Sequence, residues 1–493
     1  MGLKKSTKKM APHTSVRLEP EVIADRATSE FDRLCKQFAR TGAPVNFDFR
    51  EHCREWTARA DHLTHRLHRY PGRLTPYIPL YFLAVRGLAV NNGRLLDPFA
   101  GCGTVLVEAP VHPVHPMKPV GLEINPLARL IAKVKTTALA KRSVEDAWER
   151  IRDRYDADES RAGLPTFPNK RHWFSKPVEL RLARAIRALD GLRDPDLRDF
   201  FLVATSSVVR EVSLADPSVS VPVILDPSRF KNAAKKRVQT KLDQRMNADV
   251  ISVLEKTVRL NLARLDAWAA ATAIEVGATI KGADARTFMT GSYRERGELA
   301  ASNGGAVRGV DLILTSPPYA NAQRYTRSLR LEMFALGFTK DGAEERVLDR
   351  MQVGTERVAE IEWKEMSEPT GVDTADRVIK KVLKGDEYRA AIVGKYVRDM
   401  SKVVMNCFDA LKDGGHAVFV LGNNNVCGEL LDNAKILGEI SEDVGFEAVL
   451  RVRNRIPSRG LLTKRHPTAG VITHEHVLVL KKPTTGRARR CSA

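Results

Sequence analysis

The chain has 493 residues, of which 43% are hydrophobic and 28% are charged, as in an ordinary globular protein of about two or three domains. Its 80 Lys and Arg residues outnumber its 60 Asp and Glu residues, so the formal net charge is +20. This excess favours a polyanionic partner, most simply nucleic acid, over a merely solvated basic surface. No apolar run reaches membrane-spanning length, and we expect a cytoplasmic protein of the bacterial cytosol or nucleoid with no membrane partner.

Cysteine and histidine spacing predicts no metal site. The 6 cysteines lack the close spacing of zinc and redox motifs, and we interpret them as reduced thiols. His62, His65 and His68 recur at every third position, and we interpret them as a polar helix face rather than as metal ligands.

In chain order, the first predicted elements are helical. Residues 1–17 form a basic tail, and residues 20–40 have the apolar spacing of a helix. After a stretch rich in His and Arg, an apolar helix is predicted over 77–90, with Thr75 and Pro76 suited to its start. All of these elements precede the first predicted strand.

Short apolar runs that alternate with helical segments then predict a doubly wound α/β sheet. The first, fourth and fifth runs are almost continuously apolar, as expected for parallel strands buried on both faces. A basic loop rather than a helix joins the last two runs, which predicts an antiparallel pair at the end of the sheet. The predicted strands cover 94–98, 119–123, 278–282, 310–314, 415–421, 446–452 and 474–480.

Two insertions interrupt this alternation and define the predicted domain organisation. The first, 141–272, has mostly helical spacing, whereas the second, 320–389, is polar and mixed in charge. The remaining predicted parts are a basic tail with a helix (1–60), the sheet domain (61–140 and 273–482) and a basic C-terminal tail (483–493).

A glycine turn follows the first predicted strand, in the sequence DPFAGCGT from Asp97 to Thr104. Such a turn lets the backbone approach a nucleoside closely, although by itself it is equally typical of a structural turn. Acids stand at successive strand ends: Glu123 can accept both ribose hydroxyls, Asp284 can accept an adenine amine, and Asp97 can reach an ammonium group. Together they predict the ligand crevice of an open sheet.

A rigid polar corner, Ser316-Pro317-Pro318-Tyr319, follows the fourth predicted strand. The Ser316 hydroxyl and the Pro317 carbonyl can accept the hydrogens of an exocyclic amine, which draws the nitrogen towards tetrahedral geometry and frees its lone pair. The prolines stiffen these acceptors, and Tyr319 can stack on a base. A loop that merely caps a strand is the alternative. With the glycine turn, the corner predicts methyl transfer from S-adenosylmethionine to an amine on a flat ring.

The glycine turn and the Ser-Pro-Pro-Tyr corner together resemble the motifs of the DNA amino-methyltransferases, which modify cytosine N4 or adenine N6. Residues 121–128 are similar to the second motif of that superfamily. Residues 70–73 resemble its cofactor motif ahead of the glycine turn. The resemblance covers about 65–135 and 275–482 and leaves out both insertions.

This resemblance implies a Rossmann-like, seven-stranded methyltransferase sheet with the alpha order of motifs and S-adenosyl-L-methionine as cofactor. It implies that the first insertion is the candidate DNA-recognition region, although either insertion could read the target. The implied catalytic residues are Ser316, Pro317, Pro318 and Tyr319. The implied cofactor-binding residues are Tyr70, Arg73, Thr75, Asp97, Phe99, Ala100, Gly101, Gly103, Thr104, Glu123, Ile124, Asn125, Asp284 and Ala285.

The residue before Pro-Pro bears on the target base. Serine at this position goes mostly with cytosine in the family, so we expect N4-methylcytosine, with adenine N6 as the alternative. Cytosine C5 chemistry usually needs a Pro-Cys pair, which the sequence lacks. An RNA guanine methyltransferase and a catalytically inactive DNA-binding protein are the further alternatives.

Duplex DNA is the predicted partner, and its target base would have to flip into the pocket. Lys and Arg side chains would position the phosphate backbone without reading sequence. No nuclease motif is found, so a separate restriction endonuclease is a further possible partner. The predicted DNA-binding residues are Arg229, Lys231, Lys235, Lys236, Arg237, Arg453, Arg455, Arg459, Lys464 and Arg465.

Overall fold

The computed structural model describes residues 18–56, 63–274, 278–289, 306–320, 325–456 and 473–484. The basic tail predicted over 1–17 lies outside these residues. The strands are β1 (Val45–Asn46), β2 (Arg94–Asp97), β3 (Lys118–Leu122), β4 (Thr279–Lys281), β5 (Val310–Thr315), β6 (Leu411–Gly422), β7 (Asn424–Val426), β8 (Glu429–Leu431), β9 (Glu447–Arg455) and β10 (His474–Lys481).

Within the described residues, one mixed sheet of 8 strands forms the centre of the protein, in the order β1-β9-β10-β6-β5-β2-β3-β4. β10 is antiparallel to β6 and β9, and the other neighbours in the sheet are parallel. The doubly wound α/β sheet, its predicted strands and the antiparallel final pair are thereby confirmed. The predicted seven-stranded sheet was wrong in the number of strands, because β1 is an additional one. β1 has only 2 residues and is too short to show a period in the sequence.

Helices cover both faces of the sheet and fill most of the first insertion. They are α1 (Pro20–Thr41), α2 (Phe49–Cys53), α3 (Tyr77–Ala84), α4 (Thr104–Glu108), α5 (Pro126–Lys135), α6 (Lys141–Ala157), α7 (Lys170–Trp173), α8 (Lys176–Ala188), α9 (Pro195–Val212), α10 (Asn232–Met246), α11 (Val250–Ala271), α12 (Tyr325–Ser328), α13 (Arg330–Ala335), α14 (Gly342–Met351), α15 (Trp363–Ser367), α16 (Asp373–Val382), α17 (Glu387–Ala410) and α18 (Asn433–Val444). The helix predicted over 77–90 ends early, because Val85 is extended and Gly87 adopts a left-handed φ of 85°.

Alternating side chains of the central strands explain why helices pack on both faces. In β5, Leu312 and Leu314 join the hydrophobic cluster that includes residues of α1, α2 and α3. Ile313, between them, joins the opposite cluster with residues of α16, α17 and α18. Because successive strand residues point to opposite faces, an almost continuously apolar strand is buried on both.

The first insertion contributes helices α6 to α11 and a hydrophobic cluster of its own. This cluster also takes in Leu127 and Ile131 of α5 and Phe334 of α13, so the insertion packs directly behind the sheet domain. None of the described helices combines the length and apolar content that crossing a bilayer requires.

Candidate active site

The carboxyl ends of four parallel strands meet at one edge of the sheet and form a cleft. β2 ends at Asp97 and β5 ends just before Ser316, while Glu123 and Asp284 follow β3 and β4. All four residues line a single cleft of about 860 Å³, counted with the solvent at its mouth. The glycine turn and the Ser-Pro-Pro-Tyr corner therefore share one cavity, at the edge where open α/β sheets bind ligands.

Most of the predicted site residues lie on this cleft. Those that line it are Tyr70, Arg73, Asp97, Phe99, Ala100, Gly101, Thr104, Glu123, Ile124, Asn125, Asp284, Ala285, Ser316 and Pro318. The predicted residues that are not part of the described lining are Thr75, Gly103, Pro317 and Tyr319. The roles of all these residues stay predictions.

Gly103 allows α4 and α5 to pack closely beside the cleft. It precedes α4 with a φ of +81°, and the Cβ of an alanine there would lie 3.0 Å from Cβ of Ala132 in α5. Glycine is therefore needed for both the left-handed backbone and the close helix approach. Gly101, also left-handed at +51°, donates its amide N–H to Oε2 of Glu123 at 2.8 Å. This bond fixes the turn to the end of β3.

Asp97 is a buried carboxylate at the centre of the cleft, only 3% exposed. Its Oδ1 accepts hydrogen bonds from Thr315 Oγ1 at 2.6 Å and from the Phe99 amide at 3.1 Å. Burial raises the pKa of Asp97 to about 7, and the charge of Glu123 adds to this, although both hydrogen bonds act in the opposite direction.

Glu123 is held in a fixed orientation by the backbone. Its Oε1 accepts the amide N–H of Asn125 at 2.7 Å, while Oε2 accepts that of Gly101. Burial raises the pKa of Glu123 against these bonds and against the positive charge of Arg129. Because the pKa values of Asp97 and Glu123 are both raised, the cleft favours a ligand that brings positive charge or hydrogen-bond donors.

The carboxylate of Asp284 forms a salt bridge with Arg286. Arg286 donates Nε and Nη2 to its carboxylate, at 3.0 Å to Oδ1 and 2.6 Å to Oδ2, and its backbone N–H adds a bond to Oδ1. A carboxylate has about four acceptor positions, so Arg286 takes most of the capacity predicted for an adenine amine.

The Ser316 hydroxyl is oriented by the neighbouring strand. Its Oγ donates to the Val420 carbonyl of β6 at 3.0 Å. Because the hydroxyl proton is committed to this bond, the lone pairs of Oγ remain available as acceptors. On the far side of the corner, Asn424 donates Nδ2 to the Ala320 carbonyl at 2.6 Å and fixes the corner to the segment after β6.

The chain resembles a known protein over most of its length. It is 24% identical over 446 residues to "Type II methyltransferase M.MvaI" of Kocuria varians, a match covering 85% of this chain and 91% of the relative. This similarity indicates a methyltransferase.

Shorter and weaker likenesses accompany it. "Type II methyltransferase M.AvaI", from Nostoc sp. and from Anabaena variabilis, is 25% identical over 147 residues, which is 28% of this chain and 30% of the relative. Among solved structures, TrmN from Thermus thermophilus aligns with 84% of this chain and 50% of its own, at 12% identity and a TM-score of 0.25. No family model matches the chain.

The predicted DNA-binding residues of this methyltransferase fall into two described groups. Arg229, Lys231, Lys235, Lys236 and Arg237 are all exposed, in and just before α10. Within α10, only Arg245 is buried, so the helix presents most of its surface to solvent.

The second group lies on β9, where Arg453 and Arg455 are exposed near its carboxyl end. Arg453 lines a second, polar cleft together with asparagine and histidine side chains that include Asn425 and His474. Arg459, Lys464 and Arg465 lie outside the described residues.

The histidines near the cleft do not form the polar helix face that their spacing suggested. His65 and His68 are buried, and Nε2 of His65 contacts Oε1 of Glu108 at 2.5 Å. His62 lies outside the described residues. Within the part of the chain that the structure describes, no group of three or more potential metal ligands occurs.

Sequence reasoning missed one wall of the methyltransferase cleft. Met351, Gln352 and Val353, from the second insertion, also line it. No motif marks these residues, and contacts between distant segments bring them to the cleft. Cys102 and Gly72 also line it, and both lie inside the predicted cofactor motifs.

Proposed function

We propose that the chain is a site-specific DNA methyltransferase that transfers a methyl group from S-adenosyl-L-methionine to the N4 amine of cytosine in duplex DNA. The observation that carries this proposal is the shared cleft, in which Asp97 and Ser316 line one cavity at adjacent strand ends. The similarity to relatives named type II methyltransferases and the net charge of +20 support it.

The residues of the cleft fit the proposed cofactor. Asp97, with its raised pKa, is suited to the ammonium of the methionine part, because a cation would relieve the cost of the buried charge. Glu123 keeps a second lone pair on each oxygen for the ribose hydroxyls. The segment 283–285, which lines the cleft, would contact the adenine ring. When bound, S-adenosylmethionine supplies an electrophilic methyl group on a positively charged sulfur.

The residues after β5 would activate the target amine. An exocyclic amine is a weak nucleophile because its lone pair is conjugated with the ring. Ser316 Oγ, whose proton is donated to Val420, and the Pro317 carbonyl would accept the two amine hydrogens and favour a tetrahedral nitrogen. Since Ser316 Oγ is already bonded to Val420 and proline restricts the backbone at 317 and 318, little reorganisation would be needed during the transfer.

Duplex DNA is the proposed substrate because basic residues are exposed around the methyltransferase. The cations of α10 would hold phosphates, as would Arg453 and Arg455, which stand at the same edge of the sheet as the cleft. A base paired within a duplex cannot reach a buried corner, so the proposal includes flipping of the target base.

Cytosine is proposed over adenine because serine precedes Pro-Pro at position 316. Adenine N6 is the second candidate, since the same pair of acceptors could hold its amine. An RNA guanine amine is a further candidate, and a DNA-binding protein without activity is the remaining one.

One experiment separates these candidates. The purified protein is incubated with isotopically labelled S-adenosylmethionine and with bacterial genomic DNA or total RNA, and the digested nucleosides are identified by mass spectrometry. Labelled N4-methylcytosine from DNA is expected, and Ser316→Ala serves as the matched control for contaminating activity. Labelled N6-methyladenine would show that adenine is the target base. Label in RNA alone would support the RNA guanine methyltransferase instead. Cofactor binding without any transfer would overturn the enzymatic proposal.

A further inference from the structure

The second insertion contributes a short turn, 351–354, to the methyltransferase cleft. It begins at Met351, the last residue of α14, and its first three residues line the cavity shared by Asp97 and Ser316. No sequence motif covers this turn, and none of the roles proposed above involves it.

The guanidinium of Arg286 joins this turn to two other segments of the protein. Arg286 donates Nη2 to the Met351 carbonyl at 2.7 Å and to Asp284 Oδ2 at 2.6 Å, and donates Nη1 to Asp399 Oδ2 of α17 at 3.1 Å. Its side chain is only 16% exposed, so these charge-assisted bonds form largely out of water. The planar, five-donor geometry of arginine allows one residue to join the turn, the segment after β4 and α17.

The other end of the turn touches the proposed catalytic corner. Gly354 has a φ of +76°, and the Cβ of an alanine there would lie 2.9 Å from the Tyr319 carbonyl oxygen and 3.5 Å from Pro318 Cβ. The backbone of the turn therefore lies directly against the backbone of the corner, at a spacing that only glycine permits.

The helix that leads into the turn is also fixed. Asp349, near the end of α14 and 4% exposed, accepts hydrogen bonds from Thr326 Oγ1 at 2.9 Å and from Arg357 Nε at 2.5 Å. Its carbonyl accepts the Gln352 amide at 3.3 Å. The turn is thus held at three places. Asp349 fixes the helix that leads into it, Arg286 binds its first residue, Met351, and Gly354 at its end packs against Tyr319.

We infer that the turn 351–354 is a positioning element that holds the Ser316–Tyr319 corner in register with the cofactor cleft, with Arg286 as its anchor and Gly354 as its contact. This inference rests on the proposed methyl transfer. If the corner moves, the acceptors no longer face the amine at the point where the methyl group arrives. A misplacement of about 1 Å at a reacting centre can cost on the order of 10²-fold in rate.

The first test compares two glycines of the same insertion. Gly354→Ala places a methyl group against Tyr319, whereas the Cβ of an alanine at Gly371, where φ is +83°, would have nothing within 4 Å. Both substitutions carry the same left-handed backbone strain, so Gly371→Ala is the matched control for stability. We expect Gly354→Ala to lower kcat for methyl transfer on the order of 10²-fold with little change in the dissociation constant for S-adenosylmethionine. Gly371→Ala should leave both constants unchanged.

The second test uses the anchor and covers the case in which Gly354→Ala does not fold. Arg286→Lys keeps the charge but removes the fork that joins Met351 to Asp284. The control is Arg398→Lys, because Arg398 donates to the Met366 and Glu368 carbonyls of the same insertion, away from the cleft. We expect Arg286→Lys to lower kcat and to weaken cofactor binding, and Arg398→Lys to do neither, at a temperature well below both unfolding midpoints.

The outcomes distinguish this inference from the proposed function. An active wild-type enzyme with equal kcat in the two glycine variants would overturn the inference and leave the proposed function standing. If Gly354→Ala does not fold, equal kcat in the two arginine variants would do the same. A wild-type protein that transfers no methyl group to any nucleic acid would overturn both.

Discussion

The hydroxyl of Thr315 donates a 2.6 Å hydrogen bond to Oδ1 of Asp97, a residue 218 positions away in the sequence. Thr315 is the last residue of β5 and Asp97 the last of β2, so the bond joins the strand before the Ser-Pro-Pro-Tyr corner to the strand before the glycine turn. Both side chains are buried, where a lost hydrogen bond is costly. The two halves of the cleft are therefore one structural unit.

Removing this bond should weaken the fold and shift the titration of Asp97. Thr315→Val keeps the branched shape but deletes the hydroxyl, and losing one hydrogen bond to a buried carboxylate costs about 1.5–3 kcal/mol. The pKa of Asp97 should rise further, because the Thr315 bond lowers it. Denaturant unfolding and the pH dependence of cofactor affinity measure the two effects. Thr315→Ser, which retains the hydroxyl, should keep the pH profile of the wild type.

Cofactor affinity should depend on pH through Asp97. The pKa of this group is raised to about 7, so below that pH it is increasingly protonated and cannot pair with an ammonium. We expect the dissociation constant to rise by up to about tenfold for each pH unit below 7 and to be flat above it until the ammonium of the cofactor loses its own proton. Calorimetric titrations at several pH values test this. The Asp97→Asn variant should bind the cofactor weakly, and its affinity should lose the steepest part of the pH dependence. An unchanged pH dependence would contradict the role of Asp97 in binding the ammonium.

The same shift affects stability with a defined sign. The pKa of Asp97 in the folded chain lies above its unfolded value of 3.8, so the folded state binds the proton more tightly. Its contribution therefore favours folding below pH 4 and is lost as the pH rises to about 7 in the cofactor-free protein. Asp97→Asn should flatten this part of the stability curve, measured by denaturant unfolding, while the raised pKa of Glu123 leaves a slope of the same sign.

Ser316 and Glu123 should affect different steps. Ser316→Ala removes an acceptor for the amine, and we expect kcat to fall on the order of 10²–10³-fold with cofactor binding nearly unchanged. Glu123→Gln removes a charge that faces the cofactor cleft, and it should weaken cofactor binding more than it lowers kcat. Single-turnover rates and equilibrium binding measure the two steps separately. Equal effects of both variants on both steps would refute the division of roles.

The exposed cations of α10 should act on DNA affinity alone. Reversal of Lys235 and Lys236 to glutamate should raise the KM for DNA and reduce the salt dependence of binding by about two units in the log–log slope. Lys36→Glu with Lys402→Glu changes the net charge equally at exposed positions on α1 and α17 and serves as the control. If both pairs weaken DNA binding equally, the helix is only part of a general basic surface.

The strands that bear the site could be predicted because their signals are local. Runs such as 310–314 are nearly all apolar, as is typical of a short strand that is buried on both faces. β1 was missed for the opposite reason, since Val45 and Asn46 form a strand only because β9 offers an edge. The predicted polar face of His65 and His68 was wrong, because triplet spacing does not reveal whether neighbouring segments bury it.

By itself, the sequence determined the order of the strands along the chain, the glycine turn and the Ser-Pro-Pro-Tyr corner, because these depend on backbone preferences within a few residues. Only the tertiary structure decided that Asp284 is bound by Arg286, that the Ser316 hydroxyl donates a hydrogen bond to the Val420 carbonyl and that residues 351–353 line the cleft. Those contacts depend on the register of distant segments against one another. That register is set by packing of the whole core, and no short stretch of sequence contains it.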